Sequence, residues 1–201
     1  MRFLCLHGLG TNMALRYEMG DEHTFDFVEG TIPAPIAPDM KAYTGHNDTC
    51  YVYYNSDDIP SIGSALSNLH SYLLSEGPYD GVLAYSHGAS LAATYITQQT
   101  TLNAPLPFKC AIFLSGNLPA DPVALERGQV RPLDPVQDEV RLKLPTAHIW
   151  GVNDDLYPGT SERLSGMCDD RLKTVFLHEE GHNVPSVPNL KNSVNSAQSK
   201  Y

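Results

Sequence analysis

A serine between two small residues is the first candidate for chemistry in this sequence. Residues 79–91 read YDGVLAYSHGASL, so an apolar segment runs directly into Ser86 and a helix-like segment follows. This order is typical of a nucleophile elbow, in which a tight strand-to-helix turn raises a serine hydroxyl above a sheet. The turn requires small residues two positions before and after the serine, and Ala84 and Gly88 stand there. The alternative is a serine that only caps a helix.

A serine hydroxyl needs a base, and the base needs a third group to orient it. Downstream, HIWGVNDDLYP places Asp154 and Asp155 just after one strand-like segment, and TVFLHEEGHNVP places His178 and His182 at and after the next. The order serine, aspartate, histidine, with each residue following a strand, fits a nucleophile elbow. We therefore expect a catalytic triad of Ser86, Asp154 and His182. Asp154 is favoured because it stands closer to the strand exit, and His182 because it lies in a loop clear of the strand.

The segment HEEGH at 178–182 also fits the zinc-binding pattern H-E-x-x-H. That pattern binds zinc on a helix, where positions i and i+4 share one face. Here the strand-like KTVFL precedes the motif, Gly181 interrupts it and Pro185 follows it. A zinc hydrolase that uses His178 and His182 is therefore the weaker interpretation.

Acyl transfer also requires backbone N–H groups aimed at the developing oxyanion. His87 directly follows the serine and is the first candidate donor. The loop LHGLGTN follows the first strand-like segment and supplies Leu9 as the second, with the His7 side chain expected to hold the loop. The loop also resembles a phosphate-binding turn, but it lacks the lysine and the spacing of a P-loop.

The elements that must position these residues alternate along the chain. Short apolar runs alternate with helix-like stretches, which predicts a mainly parallel sheet of about six strands with helices on both faces. The predicted strands are residues 2–6, 25–29, 80–85, 109–115, 146–151 and 173–178, and the predicted helices are 60–76, 88–100, 160–167 and 188–198. The carboxyl ends of parallel strands meet at one edge, so the sequence predicts a site at that edge.

Two segments between these elements are rich in proline. Residues 30–58 are predicted to be an irregular loop on the substrate side, and residues 116–145 a short insertion or a small cap, with no large lid. The first segment and its surroundings supply aromatic side chains that are candidates for binding substrate, with core packing as a nearly equal alternative. They are Tyr17, Phe25, Tyr51, Tyr53 and Tyr54.

The composition fits a soluble globular protein. The 201 residues are 42% hydrophobic and 18% charged, which predicts one domain over residues 1–201 with a sizeable core. No apolar run is long enough to span a bilayer and the start lacks a secretory signal, so we expect a cytoplasmic protein. The formal net charge of −10 disfavours nucleic acid and anionic membranes as partners, and it weakens docking to an acidic carrier protein.

With these motifs identified, the chain resembles the fungal serine hydrolases of the FSH family. That family includes ovarian-cancer-associated protein 2 and the stand-alone hydrolases of polyketide gene clusters. The matching stretches span residues 2–184 and read RFLCLHGLGTN, FDFVEGTI, EGPYDGVLAYSHGASLA, HIWGVNDDLYP and EEGHNVP. One departure lies at the elbow, where the family pattern Gly-Phe-Ser-Gln-Gly is Ala-Tyr-Ser-His-Gly here.

The resemblance implies an α/β-hydrolase fold with the triad at Ser86, Asp154 and His182. It also implies hydrolysis of carboxylic esters or thioesters without a metal or organic cofactor. For the cluster-encoded members it implies release of a polyketide acyl chain from an acyl carrier protein. Two alternatives stay open from the residues: a general carboxylesterase acting on small esters, and a non-catalytic binding protein on a hydrolase scaffold.

Overall fold

A sheet of six parallel strands organises the computed structural model, which describes residues 1–9, 22–36 and 49–185. In chain order the strands are β1 Arg2–Leu6, β2 Thr24–Val28, β3 Ile32–Ala34, β4 Cys50–Val52, β5 Gly81–Tyr85, β6 Cys110–Leu114, β7 Thr146–Gly151 and β8 Lys173–His178. The parallel sheet has the order β2-β1-β5-β6-β7-β8, and β3 and β4 form a separate antiparallel pair. The helices are α1 Ile59–Glu76, α2 His87–Thr101, α3 Pro122–Glu126 and α4 Thr160–Gly166.

The predicted fold class is confirmed. Each of the six predicted strands is present with bounds shifted by at most one residue, and every pairing in the large sheet is parallel. Three of the four predicted helices are present as α1, α2 and α4. The fourth, at 188–198, lies outside the described residues, so helices on both faces of the sheet stay a prediction.

Two small features were not among the predicted elements. Residues 30–58 were predicted to be irregular, but Ile32 pairs with Val52 and Ala34 with Cys50 in the β3–β4 sheet. Strands of three residues are too short to show an alternating pattern. Within the predicted insertion at 116–145, the short helix α3 begins after Asp121, whose carboxylate accepts a hydrogen bond from the N–H of Val123.

One face of the sheet packs against α1 and α2. Alternate residues of the strands, such as Leu4, Leu6 and Val82, point into this cluster. Its helical members recur at helical spacing and are Ile62, Leu66, Leu69 and Leu73 of α1 with Ala89, Ala92, Ala93 and Ile96 of α2. The alanines let α2 lie close to the sheet directly behind the strand that carries the elbow.

The other face of the sheet is also buried. The cluster on this face consists of Phe3, Cys5, Leu83, Tyr85 and Leu114. Along each strand these residues alternate with the members of the first cluster. Burial on both faces explains why the central strands read as continuous apolar runs. Of the helices in the described ranges, none is long and apolar enough to cross a membrane.

The segment at 116–145 is held to α2. Ser90 donates a hydrogen bond to the carbonyl of Leu118, and Thr94 accepts one from the N–H of Ala120, both at 2.9 Å. Leu133 and Leu142 of the segment are fully buried. Ser90 therefore has a structural role in joining the segment to the elbow helix.

Candidate active site

Ser86 occupies a strained turn between β5 and α2. Its backbone lies at φ 49° and ψ −109°, in a region that residues other than glycine rarely adopt and that costs on the order of 1–3 kcal/mol. The Ser86 N–H donates to the carbonyl of Leu114 at 2.9 Å, and the Ser86 carbonyl accepts from the N–H of Ser90 at 3.1 Å. These bonds from β6 and α2 hold the turn that the elbow motif predicted.

Gly88 lets the elbow helix approach the end of β1. A Cβ at this position would lie 2.6 Å from the carbonyl oxygen of His7 and 2.7 Å from that of Leu6, which is closer than Cβ atoms are found. The Gly88 N–H instead donates to the His7 carbonyl at 3.0 Å. A small residue is therefore required two positions after the serine, because the backbone of α2 contacts the loop that follows β1.

Ser86, His182 and Asp154 lie in one hydrogen-bonded line. The distance from Ser86 Oγ to His182 Nε2 is 2.8 Å, and from His182 Nδ1 to Asp154 Oδ2 it is 2.6 Å. Because a carboxylate only accepts, Nδ1–H donates to Asp154 and Nε2 is left to accept from the serine hydroxyl. The three residues are 4%, 7% and 8% exposed, in that order, so the line is shielded from bulk water.

The second oxygen of Asp154 is also occupied. Its Oδ1 accepts from the N–H groups of Leu156 and Tyr157, both at 3.1 Å. Asp155, the alternative acid, is exposed. The structure therefore brings Asp154 to His182 and leaves Asp155 in solvent.

The loop that carries His182 contacts the loop after β7. A Cβ on Gly151 would lie 2.1 Å from the carbonyl oxygen of Gly181, so glycine is required where the loops touch. Gly181 itself has φ 62°. The Asn153 side chain completes the contact, since its Oδ1 accepts from the Gly181 N–H and its Nδ2 donates to the carbonyl of Glu179.

Two hydroxyl groups hold the main-chain carbonyl of His182. Tyr85 Oη donates to the His182 carbonyl at 3.1 Å and Ser115 Oγ donates to it at 2.9 Å. Sequence reasoning missed Ser115, Tyr85 and Asn153 in these roles. The sequence signal for a role of Ser115 in the site was its position directly after β6, at the carboxyl edge of the sheet.

His178 has a different environment from His182. It ends β8, its Nδ1 accepts from the N–H of Glu180 at 3.1 Å, and its Nε2 is buried without a partner. Burial lowers the pKa of His178 from its ordinary value. The motif HEEGH therefore spans a strand end and a loop rather than a helix, and within the described ranges no group of three His, Cys, Asp or Glu side chains could hold a metal ion.

The two predicted oxyanion donors flank Ser86. The N–H groups of His87 and Leu9 form no hydrogen bond with other described residues. The loop carrying Leu9 passes close to the serine, because a Cβ on Gly8 would lie 3.5 Å from the Cβ of Ser86. Within the described ranges both amides are therefore candidates for binding an oxyanion, and their role stays a prediction.

The His87 side chain packs against two tyrosines. Its ring centroid lies 4.1 Å from that of Tyr54 and 6.0 Å from that of Tyr53. Burial, with a further contribution from nearby His7, lowers the pKa of His87 to about 4, so the ring is neutral at pH 7. Its surroundings are those of a packed aromatic residue.

The predicted substrate-binding aromatics lie in different surroundings. Tyr17 lies outside the described residues, and Phe25 stacks on Phe3 with ring centroids 5.6 Å apart. Tyr54 is buried beside His87, and Tyr51 lies half-buried on β4. The Tyr53 hydroxyl bonds to the main chain of His7, just after β1, and of Val28 in β2 rather than being free for a substrate.

Sequence reasoning missed an aromatic residue that does face the site. Tyr157 is 38% exposed, and its ring centroid lies 5.0 Å from that of His182. Leu156 directly precedes it in the chain and Leu9 lies in the loop after β1, and these side chains are 56% and 44% exposed. We call Leu9, Leu156 and Tyr157 the apolar rim.

The fold and the three hydrogen-bonded residues together define an α/β-hydrolase. A solved structure of a carboxylesterase from Mesorhizobium loti superimposes with a TM-score of 0.66 over 98% of this chain and 88% of that one, at 16% sequence identity. The profile of the family described as serine hydrolase (FSH1) matches residues 1–194. The chain therefore belongs to the FSH1 family of serine hydrolases.

Relatives in fungi agree with this assignment. Esterase FPY3 of Fusarium mangiferae is 36% identical over 200 residues, which span 94% of this chain and 90% of that protein. Hydrolase phiM of a fungal species is 30% identical over 210 residues, which span 98% and 93%. The chain is thus an enzyme of the serine hydrolase class with esterase relatives.

Proposed function

We propose that this protein hydrolyses carboxylic esters and thioesters through an acyl-enzyme formed on Ser86, with His182 as the base and Asp154 as the orienting acid. The observation that carries the proposal is the continuous line from Ser86 Oγ through His182 to Asp154, with distances of 2.8 and 2.6 Å. A serine that only capped α2 would not require a base at its hydroxyl, and its backbone would not need the strained φ of 49°.

The reaction proceeds in two halves. His182 Nε2 takes the Ser86 proton as Oγ attacks the acyl carbonyl, and the N–H groups of Leu9 and His87 bind the oxyanion. The bond to the leaving group breaks, and the alcohol or thiol takes the proton from His182. Water then attacks the acyl-enzyme, passes its proton to His182, and the carboxylic acid leaves as Ser86 regains its proton.

Asp154 keeps the base in the reactive tautomer. Its Oδ2 binds the Nδ1–H of His182 and stabilises the imidazolium that forms in each half. Its other oxygen is held by two backbone N–H groups, so the carboxylate cannot turn away. The two hydroxyls on the His182 carbonyl fix the same ring from its main chain.

The surface around the site favours an apolar acyl ester. The apolar rim offers exposed hydrophobic area on the loops that carry the site, with the Tyr157 ring beside His182, and such area near a site serves to bind apolar ligands. Asp155, Glu179 and Glu180 add negative charge close by, with the first two exposed. A small uncharged ester fits both features.

Release of a polyketide chain from an acyl carrier protein is the finer proposal. The attack on a thioester carbonyl uses the same groups, and the apolar rim fits a long acyl chain. An acidic carrier protein would meet Asp155, Glu179 and a protein of net charge −10, so charge favours the free ester over the carrier-bound one.

A rate series separates these substrates. Turnover of p-nitrophenyl esters and acyl thioesters is measured over increasing chain length, with Ser86→Ala as the blank. Turnover that depends on Ser86 supports the acyl-enzyme, and a preference for long thioesters supports chain release. A Ser86→Ala variant that retains the wild-type rate would overturn the proposal, and absence of turnover on every substrate would favour a binding protein.

A further inference from the structure

We infer that Tyr53 is a positioning residue for the oxyanion loop, which comprises His7, Gly8 and Leu9. The inference rests on the proposed function, because it assigns Tyr53 the task of holding a loop whose Leu9 N–H binds the oxyanion. The hydroxyl accepts a hydrogen bond from the His7 N–H at 2.9 Å and donates one to the Val28 carbonyl at 2.7 Å. One atom thereby joins the start of the loop to the end of β2.

The direction of these bonds follows from the surroundings. Burial raises the pKa of Tyr53 far above its ordinary value, so the hydroxyl keeps its proton. Because the Val28 carbonyl only accepts, the proton points there and the oxygen lone pair faces the His7 N–H. A phenylalanine at position 53 would leave a donor and an acceptor unpaired.

The His7 side chain is anchored next to this bond. Its Nε2 accepts from the N–H of Gly30 at 2.8 Å, so its Nδ1–H donates to the carbonyl of Gly8 at 2.7 Å. Burial lowers the pKa of His7, which favours this neutral form. The Tyr53 ring lies on the imidazole with centroids 4.7 Å apart. The tyrosine thus holds the loop through its hydroxyl and through its ring.

The hydroxyl bonds matter because packing does not enclose the Tyr53 ring on every side. A cavity of about 220 Å³ borders Tyr53 on the α1 side, and its wall includes Leu6, Gly30 and Leu69. Space for side-chain movement therefore exists beside the ring. Without the hydroxyl, the ring loses its hydrogen bonds to the His7 N–H and the Val28 carbonyl, so the start of the loop is no longer tied to the end of β2 and the Leu9 N–H is less firmly placed beside Ser86.

The position of Tyr53 explains why its role differs from the one expected from sequence. The tyrosines around position 53 were candidates for binding substrate, but the described hydrogen bonds and ring contacts of Tyr53 are with His7, Val28 and His87. It acts on the site through the loop. A loss of its hydroxyl should therefore reduce kcat and leave KM nearly unchanged, since the oxyanion forms only in the transition state.

The test compares Tyr53→Phe with Tyr95→Phe. Tyr95 is a buried tyrosine whose hydroxyl bonds His70 Nδ1 at 2.8 Å between α1 and α2, so its variant loses a comparable bond remote from the loop. Rates are expressed per active site after titration with a fluorophosphonate, so that only folded enzyme is counted. Affinity is also measured for a trifluoromethyl ketone carrying the acyl chain of the best substrate, since its adduct mimics the oxyanion.

We expect Tyr53→Phe to lower kcat by about 10- to 100-fold and to weaken the ketone by a similar factor, because displacing an oxyanion donor costs up to about 1,000-fold. Tyr95→Phe should change neither quantity by more than about twofold. A Tyr53→Phe rate per site equal to that of wild type, or a loss confined to KM, would overturn the inference. Wild-type enzyme that the fluorophosphonate does not titrate would overturn the proposed function, and the inference with it.

Discussion

The carboxyl edge of the sheet and the helix α1 use opposite kinds of contact. At the edge, non-glycine residues adopt positive φ at Ser86 and Ser115, and loops touch where Gly88 and Gly151 have no room for a Cβ. In α1 the backbone is regular, and Gly63 has open space around it. At the edge, a few close contacts set the local geometry, whereas α1 is held by many side-chain contacts with the core.

This difference separates chemistry from stability. At the edge, each contact depends on a single hydrogen bond or on the absence of a Cβ, so a substitution there changes the geometry of the reacting groups. In α1 the apolar residues share their contacts with a continuous core, so a substitution changes the free energy of unfolding in proportion to the volume removed. The following substitutions test that separation.

The largest effect is expected for His182, with His178 as its matched control. His182→Ala removes the base and should lower kcat by about 10⁴-fold, while the free energy of unfolding changes little. His178→Ala should keep kcat within a few-fold, because the described hydrogen bond of the His178 ring is to the Glu180 N–H and not to one of the three residues. Ester turnover of both purified variants checks the pair. Equal losses in the two variants would contradict the assignment of the base.

In α1, Leu66→Ala should have the reverse effect. Leu66 is a buried member of the core, so the substitution should lower the free energy of unfolding by about 2–4 kcal/mol. The rate per folded active site should equal that of wild type at 25 °C. Urea unfolding and ester turnover measure the two quantities. A large loss of rate per site would show that the helix and the edge are not separate.

Replacing glycine by alanine should change the free energy of unfolding in opposite directions in the two regions. Gly88→Ala places a methyl group against the carbonyls of Leu6 and His7, and we expect about 1–3 kcal/mol of destabilisation together with a loss of rate. Gly63→Ala should stabilise α1 by about 0.5–1 kcal/mol and leave the rate unchanged. Thermal unfolding and turnover follow both variants. Stabilisation by Gly88→Ala would remove the argument for a close approach there.

A smaller effect should appear with pH. Burial lowers the pKa of His87 and of His148 from 6.5 to about 4, and nearby His7 and Lys173, respectively, act in the same direction. The unfolded chain therefore takes up protons first as the pH falls from about 6.5 to 4. The free energy of unfolding should fall by about 1.4 kcal/mol per pH unit for each histidine in that window and be constant with respect to them above it.

Substitution of one histidine tests this dependence. His148→Gln removes a titrating group that is buried within β7 against Phe113. Urea unfolding between pH 4.5 and 7 should show a shallower slope for the variant than for wild type. Identical slopes would mean that His148 takes up no proton on unfolding.

The parts of the account that sequence could predict depend on local patterns. Alternation of apolar runs located the six strands, and the small residues around Ser86 located the elbow. The strand before HEEGH and Gly181 within it distinguished this motif from a helical zinc site. Each of these signals lies within about a dozen residues, so a single segment carries it.

The remaining parts depend on contacts between distant residues. The Tyr53 hydroxyl meets the His7 N–H across 46 positions, and Ser115 meets the His182 carbonyl across 67. Tyr157 reaches the His182 ring because the loops after β7 and β8 touch at Gly151 and Gly181. No local pattern of hydrophobicity records such bonds, and they become visible only when the topology brings the strand ends together.

The central claim is that Ser86 is the nucleophile that carries the acyl group. The most direct test is mass spectrometry of the protein after reaction with a fluorophosphonate, followed by peptide mapping, with Ser86→Ala treated in parallel. The account predicts one adduct per chain on the peptide that contains Ser86, loss of turnover in proportion to labelling, and no adduct on the variant. An adduct at another residue, or full turnover by enzyme labelled at Ser86, would contradict it.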